Sequence, residues 1–348
     1  MKKRLFETLA IAGIAVAALQ LYTTKILQPV SIAAPAAAAA DNYRPRAVKN
    51  VVVKNYNAVG EKISYYNHMP QRVVAVGEQI NETLVALGVE DKVICAVRYG
   101  NPFYTPEPQY AERYNKIKFQ NFVVLNAESI VAMRADLIVS GQSLFTDKRL
   151  KSTEFWNERG VHTYLPPNAN SPASRNHRET LEQELEFILG LGTIFDREEA
   201  AYALVQQMYD TISYYRRQSH NLPKPKVMIL EGLSKQLIAY DDTKLAGDIC
   251  TKLGAYVPSS PLGTISIETI LLENPDVIFI VKSGGDPEEA AANFRNTPAL
   301  RSLKAIQNKR VYGISLNYTY NSAIKTGAGI KKIAQGIYPE IKQQGSAL

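Results

Sequence analysis

The chain has 348 residues, 46% hydrophobic and 21% charged, with a formal net charge of +7, 20 tyrosines and two cysteines. It contains no run of five or more like charges and no interleaving of basic with aromatic residues, which argues against nucleic acid as a partner. Cys95 and Cys250 fall in an apolar run and a helical pattern, read as buried thiols, and carry no sign of a disulfide framework.

Residues 1–40 differ in kind from the rest. Lys2, Lys3 and Arg4 lead into the apolar run Leu9 to Leu21, and a small-residue tract from Ala33 to Ala40 follows. This is the pattern of a secretory signal, too short to span a hydrocarbon layer, with cleavage expected before Asp41. An uncleaved anchor is the alternative, because the stretch from Tyr22 to Ala40 is long for a cleavage region. No cysteine lies nearby to take a lipid. The expected location is the periplasm, and residues 41–348 carry a formal charge of only +4.

That remainder is more than one core organises, so two lobes are expected. After an irregular leader to about Arg46, short β-rich runs alternate with helical patterns, which implies an α/β fold with parallel sheets. The first set of strands falls at Arg72 to Val76, Lys92 to Val97, Asp136 to Val139 and Val161 to Leu165, with a helix from about Asn81 to Leu87. The second falls at Lys226 to Leu230, Leu237 to Tyr240, Asp276 to Val281 and Arg310 to Ile314, with a final helix ending near Tyr338. Between the sets, Asp196 and Glu199 read as a capping box opening a helix from Arg197 to Gln218, with Ala200, Leu204, Met208 and Ile212 as its apolar stripe. Such a rod is about 33 Å long and ends before Pro223 and Pro225. The expected organisation is an amino-terminal lobe at 41–195, a connecting helix at 196–218 and a carboxy-terminal lobe at 219–348. A helical connector limits how far the lobes open and close.

Two segments match position by position: Glu128-Ser-Ile-Val-Ala-Met-Arg-Ala-Asp136-Leu-Ile-Val and Glu268-Thr-Ile-Leu-Leu-Glu-Asn-Pro-Asp276-Val-Ile-Phe. In each, a polar cap (Asn126, Ser266) precedes a short helix that turns Ile130 or Ile270 inward, points the Glu outward, and ends at the Asp before a buried strand. A first-turn carboxylate also favours the helix dipole, so the pattern alone does not require a partner.

These segments, together with Arg72-Val-Val-Ala-Val, Glu82-Thr-Leu-Val-Ala-Leu-Gly and the long mid-chain helix, resemble the periplasmic substrate-binding proteins of ABC importers for ferric siderophores, haem and cobalamin. The resemblance covers about Gln71 to Glu340. It implies two Rossmann-like lobes joined by one long helix, a metal-chelate ligand held between them with no intrinsic cofactor, and a monomer that docks on a permease dimer. It also implies that Glu128 and Glu268 pair with permease arginines. Ferric siderophore is the preferred cargo, with haem and cobalamin as alternatives.

Open parallel sheets bind ligands beyond the carboxyl ends of their strands. The loops there nominate Glu78, Gln79, Arg98, Tyr99, Tyr104, Gln142 and Ser143 from the first lobe, and Glu231, Tyr240, Lys282, Tyr318 and Tyr320 from the second. Aromatic faces suit flat chelates, and Arg98 and Lys282 would offset an anionic one. Tyr99, Tyr104, Tyr318 and Tyr320 are also placed to ligate haem iron. The four histidines are scattered, with no metal-ligand spacing. Gly190-Leu-Gly192 lies in a helical run with Phe195 where a third glycine belongs, and Ser143 lacks a nucleophile-elbow context. No catalytic residue is nominated.

Overall fold

A computed structural model describes residues 43–99, 104–121, 125–168, 178–233, 236–259 and 264–342. The expected signal segment lies outside them. The described chain begins with strands β1 (Arg46–Lys54) and β2 (Asn57–Tyr66), which form an antiparallel hairpin. Its two-residue turn, Asn55 and Tyr56, has positive φ at both positions, the geometry that matches the twist of paired strands. The sequence reading placed no strand here. Asn50 docks the hairpin on the edge of the first lobe: its amide donates to the Thr163 carbonyl at 2.6 Å, and its oxygen accepts from the Leu165 N–H at 3.1 Å.

The first sheet holds β3 (Val73–Val76), β4 (Val93–Val97), β5 (Phe119–Gln120), β6 (Leu137–Val139) and β7 (His162–Tyr164), all parallel, in the order β5-β4-β3-β6-β7. The second holds β8 (Val227–Leu233), β9 (Gln236–Ala239), β10 (Thr264–Ile265), β11 (Val277–Lys282) and β12 (Val311–Ser315), in the order β10-β9-β8-β11-β12. All eight expected strands form. The expectation of a wholly parallel second sheet is corrected: β9 runs antiparallel to β8 and β10 antiparallel to β9. Two residues separate β8 from β9, too few for the crossover a parallel pair needs.

The continuous apolar runs of the central strands feed two cores at once. Val73 and Ala75 join one cluster while Val74 and Val76 join another, and Val277, Phe279 and Val281 alternate with Ile278 and Ile280 in the same way. Strands buried on both faces need no polar alternation. The cluster with Val73 and Val277 runs through both lobes. It takes in the long helix Glu198–Gln218, which buries Ala201, Val205, Met208, Ile212 and Tyr215. Of the expected stripe, Ala200 and Leu204 are only half-buried, one position off the inner face.

The capping box expected at Asp196 does not form. Asp196 has a left-handed φ of 55°, Arg197 is the cap residue without a side-chain bond, and the Asp196 carboxylate pairs with Arg46. The capping box is instead at Thr180 and Gln183, heading a second long helix, Leu181–Ile194. The start of that helix is tied to the second lobe: the Leu181 N–H donates to Asp248 at 2.8 Å, and Glu182 pairs with Lys252 at 3.1 Å. The helix Leu181–Ile194 therefore contacts the second lobe at its start.

Close packing accounts for the glycines of this helix, Gly192 where it crosses the long helix and Gly190 where it meets β7. A Cβ on Gly192 would overlap the Ala201 side chain, and one on Gly190 would overlap the Tyr164 hydroxyl. Gly192→Ala is expected to lower stability by about 1–2 kcal/mol through overpacking, read as a lower urea midpoint with the m-value unchanged.

Candidate functional site

In the first sheet the chain leaves β3 on one side toward β4 and returns on the other at β6, so the strand order reverses at β3. The crevice beyond the carboxyl ends of strands at such a switch point is where open sheets hold ligands. The loops after β3, β4 and β6 meet there. The Tyr99 N–H donates to the Glu78 carboxylate at 3.2 Å, and the Tyr99 hydroxyl lies 3.2 Å from Ser143 Oγ. Glu78 opens the helix Glu78–Ala86, three residues earlier than expected, and is itself buried. Arg98 is exposed and lays its guanidinium over the Phe119 ring at 4.4 Å. Tyr99, at 46% exposure, is the open aromatic face of this group.

From the second lobe, Glu231 on β8 accepts the Tyr240 hydroxyl at 2.5 Å. Burial first, and then the Glu231 charge, push the Tyr240 phenol well above its ordinary range, so it stays a neutral donor. Lys282 ends β11 with its side chain exposed. After β12 the chain makes a short turn, Leu316–Tyr318, and Tyr318 and Tyr320 are half-buried. The Gln79 amide, at the second position of the helix Glu78–Ala86, donates to the Asn321 carbonyl at 3.2 Å, so the two lobes touch here.

Four nominated side chains are buried: Glu78 and Glu231, at 2% and 7% exposure, and Tyr104 and Gln142. Tyr104 is 8% exposed and its hydroxyl donates to the buried Glu82 carboxylate, so it is an interior residue and not a face open to a ligand or to haem iron. Burial, reinforced by Glu82, holds that phenol protonated. Gln142 is 5% exposed and its amide donates to the Tyr56 carbonyl at 2.8 Å, pinning the hairpin turn.

Sequence reasoning missed a polar cluster behind these loops. The Lys325 ammonium, on a side chain 2% exposed, lies 2.6 Å from the Glu107 carboxylate and 3.5 Å from Glu82, and donates to the Thr105 carbonyl at 2.6 Å. Glu82 also accepts the Glu107 N–H at 2.7 Å. Burial raises the Glu82 carboxyl, against the opposing pull of Lys325 and Tyr104. Tyr318 packs its ring beneath Lys325 and reaches Glu107 with its hydroxyl at 3.5 Å, and burial pushes that phenol up to about 12. The available signal was a lysine at 325 among small and apolar residues.

The matched segments fold as matched helices, Ala127–Met133 and Ile267–Glu273. Asn126 and Ser266 cap them, and left-handed Arg134 and Asn274 end them. Glu128 and Glu268 are exposed at the second helical position of each, while Ile130 and Ile270 are fully buried. The Ser266 hydroxyl and a backbone N–H hold the Glu268 carboxyl below its usual range.

The family model described as periplasmic binding protein matches residues 73–317, and the chain belongs to this family of extracytoplasmic binding proteins, which are transport components and not enzymes. A periplasmic binding protein from Veillonella parvula is similar at 30% identity and a TM-score of 0.75, over 84% of this chain and 92% of that one. An ABC-type Fe3+-hydroxamate transport system protein from Saccharomonospora viridis shares the fold at 18% identity and a TM-score of 0.62, covering 82% of this chain and 98% of that one. The petrobactin-binding protein YclQ from Bacillus subtilis does so at 16% identity and 0.59, with the same coverage. No curated protein sequence matches.

Proposed function

We propose that the protein captures an iron–siderophore-type metal chelate in the cleft between its lobes, outside the cytoplasm, and delivers it to an ABC importer. Glu128 and Glu268 would dock on the two permease subunits. The observation that carries this reading is the pair of equivalent glutamates, each exposed at the same position of an identically capped helix, one beside each sheet. A partner built of two like subunits meets two like contacts in such a protein. Rim carboxylates of this kind contribute more to orientation and recognition than to binding strength. The chelate would sit beyond β3, β4 and β6, with Arg98 and Tyr99 on one side and Lys282, Tyr240 and Tyr320 on the other. In the same reading the signal segment is cleaved, the lobes span 41–195 and 219–348 around the helix at 196–218, and the exported protein is a monomer.

Calorimetric titration of the purified protein with ferric hydroxamate, ferric catecholate and ferric citrate complexes, haemin and cobalamin tests the assignment. Saturable binding of one ferric complex is expected. Arg98→Ala and Lys282→Ala should each weaken it about tenfold, a loss of about 1.4 kcal/mol. Glu128→Ala and Glu268→Ala should leave binding intact and lower cellular uptake of the same complex. Selective binding of haemin or cobalamin would move the cargo to the alternative. A folded protein that binds none of the panel would end the ligand assignment.

A further inference from the structure

We infer that Lys325 is a positioning residue that fixes the separation of the two lobes, acting as a buried ionic latch between the second lobe and the first. Its place in the chain makes this specific. Lys325 ends the segment that follows β12, the strand whose loop supplies Tyr318 and Tyr320, while Glu82, Tyr104, Thr105 and Glu107 belong to the first lobe. The ammonium is ringed by two carboxylates and a carbonyl, and lies over the Tyr104 and Tyr318 rings at 5.1 and 5.6 Å.

Neighbouring bonds repeat the tie along the same segment. The Ala323 N–H donates to Glu184 at 2.6 Å and the Ile324 N–H to Thr83 Oγ1 at 3.3 Å. Opening the lobes about the long helix Glu198–Gln218 would draw Lys325 from between its acids. A buried charge that loses its partners is strongly disfavoured, so the pair resists separation even where its net contribution to folding is small. The lobes are thus held at one spacing before any ligand arrives, and ligand capture proceeds with little closure. That last step rests on the proposed binding function, whereas the latch itself does not.

The test reads lobe spacing in the ligand-free protein. Val131→Cys and Leu272→Cys place one nitroxide on each lobe at positions 55% and 84% exposed, while the native Cys95 and Cys250 are buried and escape labelling. Pulsed electron resonance should give one narrow distance distribution. Lys325→Met should broaden or shift it, by about twofold in width, as additional lobe arrangements become populated. Glu107→Gln, which removes one acid whose side chain is 20% exposed, should act in the same direction to a smaller extent and decides the matter if Lys325→Met does not fold. Distributions matching the parent in a folded Lys325→Met protein, or in Glu107→Gln alone, would overturn the latch. Because no ligand enters the measurement, failure of the chelate assignment leaves the result unaffected.

Discussion

Asp136→Ala is expected to destabilise the protein by about 2–3 kcal/mol, the sum of two lost hydrogen bonds to a charged acceptor at a partly exposed site. The Asp136 carboxylate accepts the Gln71 N–H at 2.7 Å and the Arg72 N–H at 2.9 Å, one on each oxygen, immediately before β3 begins. Its counterpart Asp276 accepts one such N–H, from Lys226 at 2.8 Å, before β8, and its other oxygen lies 3.9 Å from the Lys304 ammonium. The repeat therefore gives its two acids different work: the Glu faces outward, and the Asp clips the start of the neighbouring central strand. The asymmetry between the lobes supplies the discriminating measurement. Asparagine offers one acceptor oxygen and one donor, so Asp276→Asn should be tolerated while Asp136→Asn loses much of what Asp136→Ala loses. With Asp276→Ala as the fourth variant, urea unfolding reads this directly, and equal costs for the two asparagine variants would refute it. None of the four should alter uptake beyond the loss of folded protein.

This division of labour was half legible in the sequence. The spacing of Glu128 to Asp136 and Glu268 to Asp276 fixed the short helices and the strands after them, because a capped turn followed by an apolar run admits few other folds. The central strands were legible for the same reason: Val73 to Val76, between Arg72 and Gly77, and Val277 to Val281, between Asp276 and Lys282, are unbroken apolar runs. The β1–β2 hairpin was not, since the run Val51 to Val53 breaks the period-two alternation and Asn50 is buried through bonds to residues far along the chain. Asp196 and Glu199 had capping-box spacing, but the contact with Arg46 and the left-handed turn took Asp196 away from the helix start. Propensity lost there to a tertiary ion pair. Not all nominated residues lie in loops, since Glu78 and Gln79 open a helix and Glu231 lies within β8, and which side chains stay on the surface is set by partners remote in sequence. Tyr104 turned inward because Glu82 and Lys325 form a polar nest for its hydroxyl.

Glu184 makes the remaining large contribution, and it should be visible as pH dependence. This acid of the helix Leu181–Ile194 is fully enclosed, accepts the Asn168 amide at 2.8 Å from the first lobe and the Ala323 N–H at 2.6 Å from the second, and has its pKa raised from 4.5 to about 7, chiefly by burial. Between those two values the folded chain keeps a proton that the unfolded chain has released, so stability falls as pH rises. Below about pH 4.5 both states hold the proton and the contribution is fully present; above about pH 7 both have released it and the loss is complete. At 1.36 kcal/mol per unit the loss amounts to about 3 kcal/mol across the window. Other carboxylates titrate in the same range with their own signs, so the quantity to measure is the difference between the parent and Glu184→Gln, by urea unfolding from pH 4 to pH 8. Glutamine is neutral throughout and leaves one of the two N–H donors facing an amide nitrogen, so the variant starts less stable at acid pH and the gap should narrow by about 3 kcal/mol toward pH 7. Parallel curves would mean that Glu184 titrates at the same pH in the folded and the unfolded chain. The two donors aimed at it would then offset the cost of its burial.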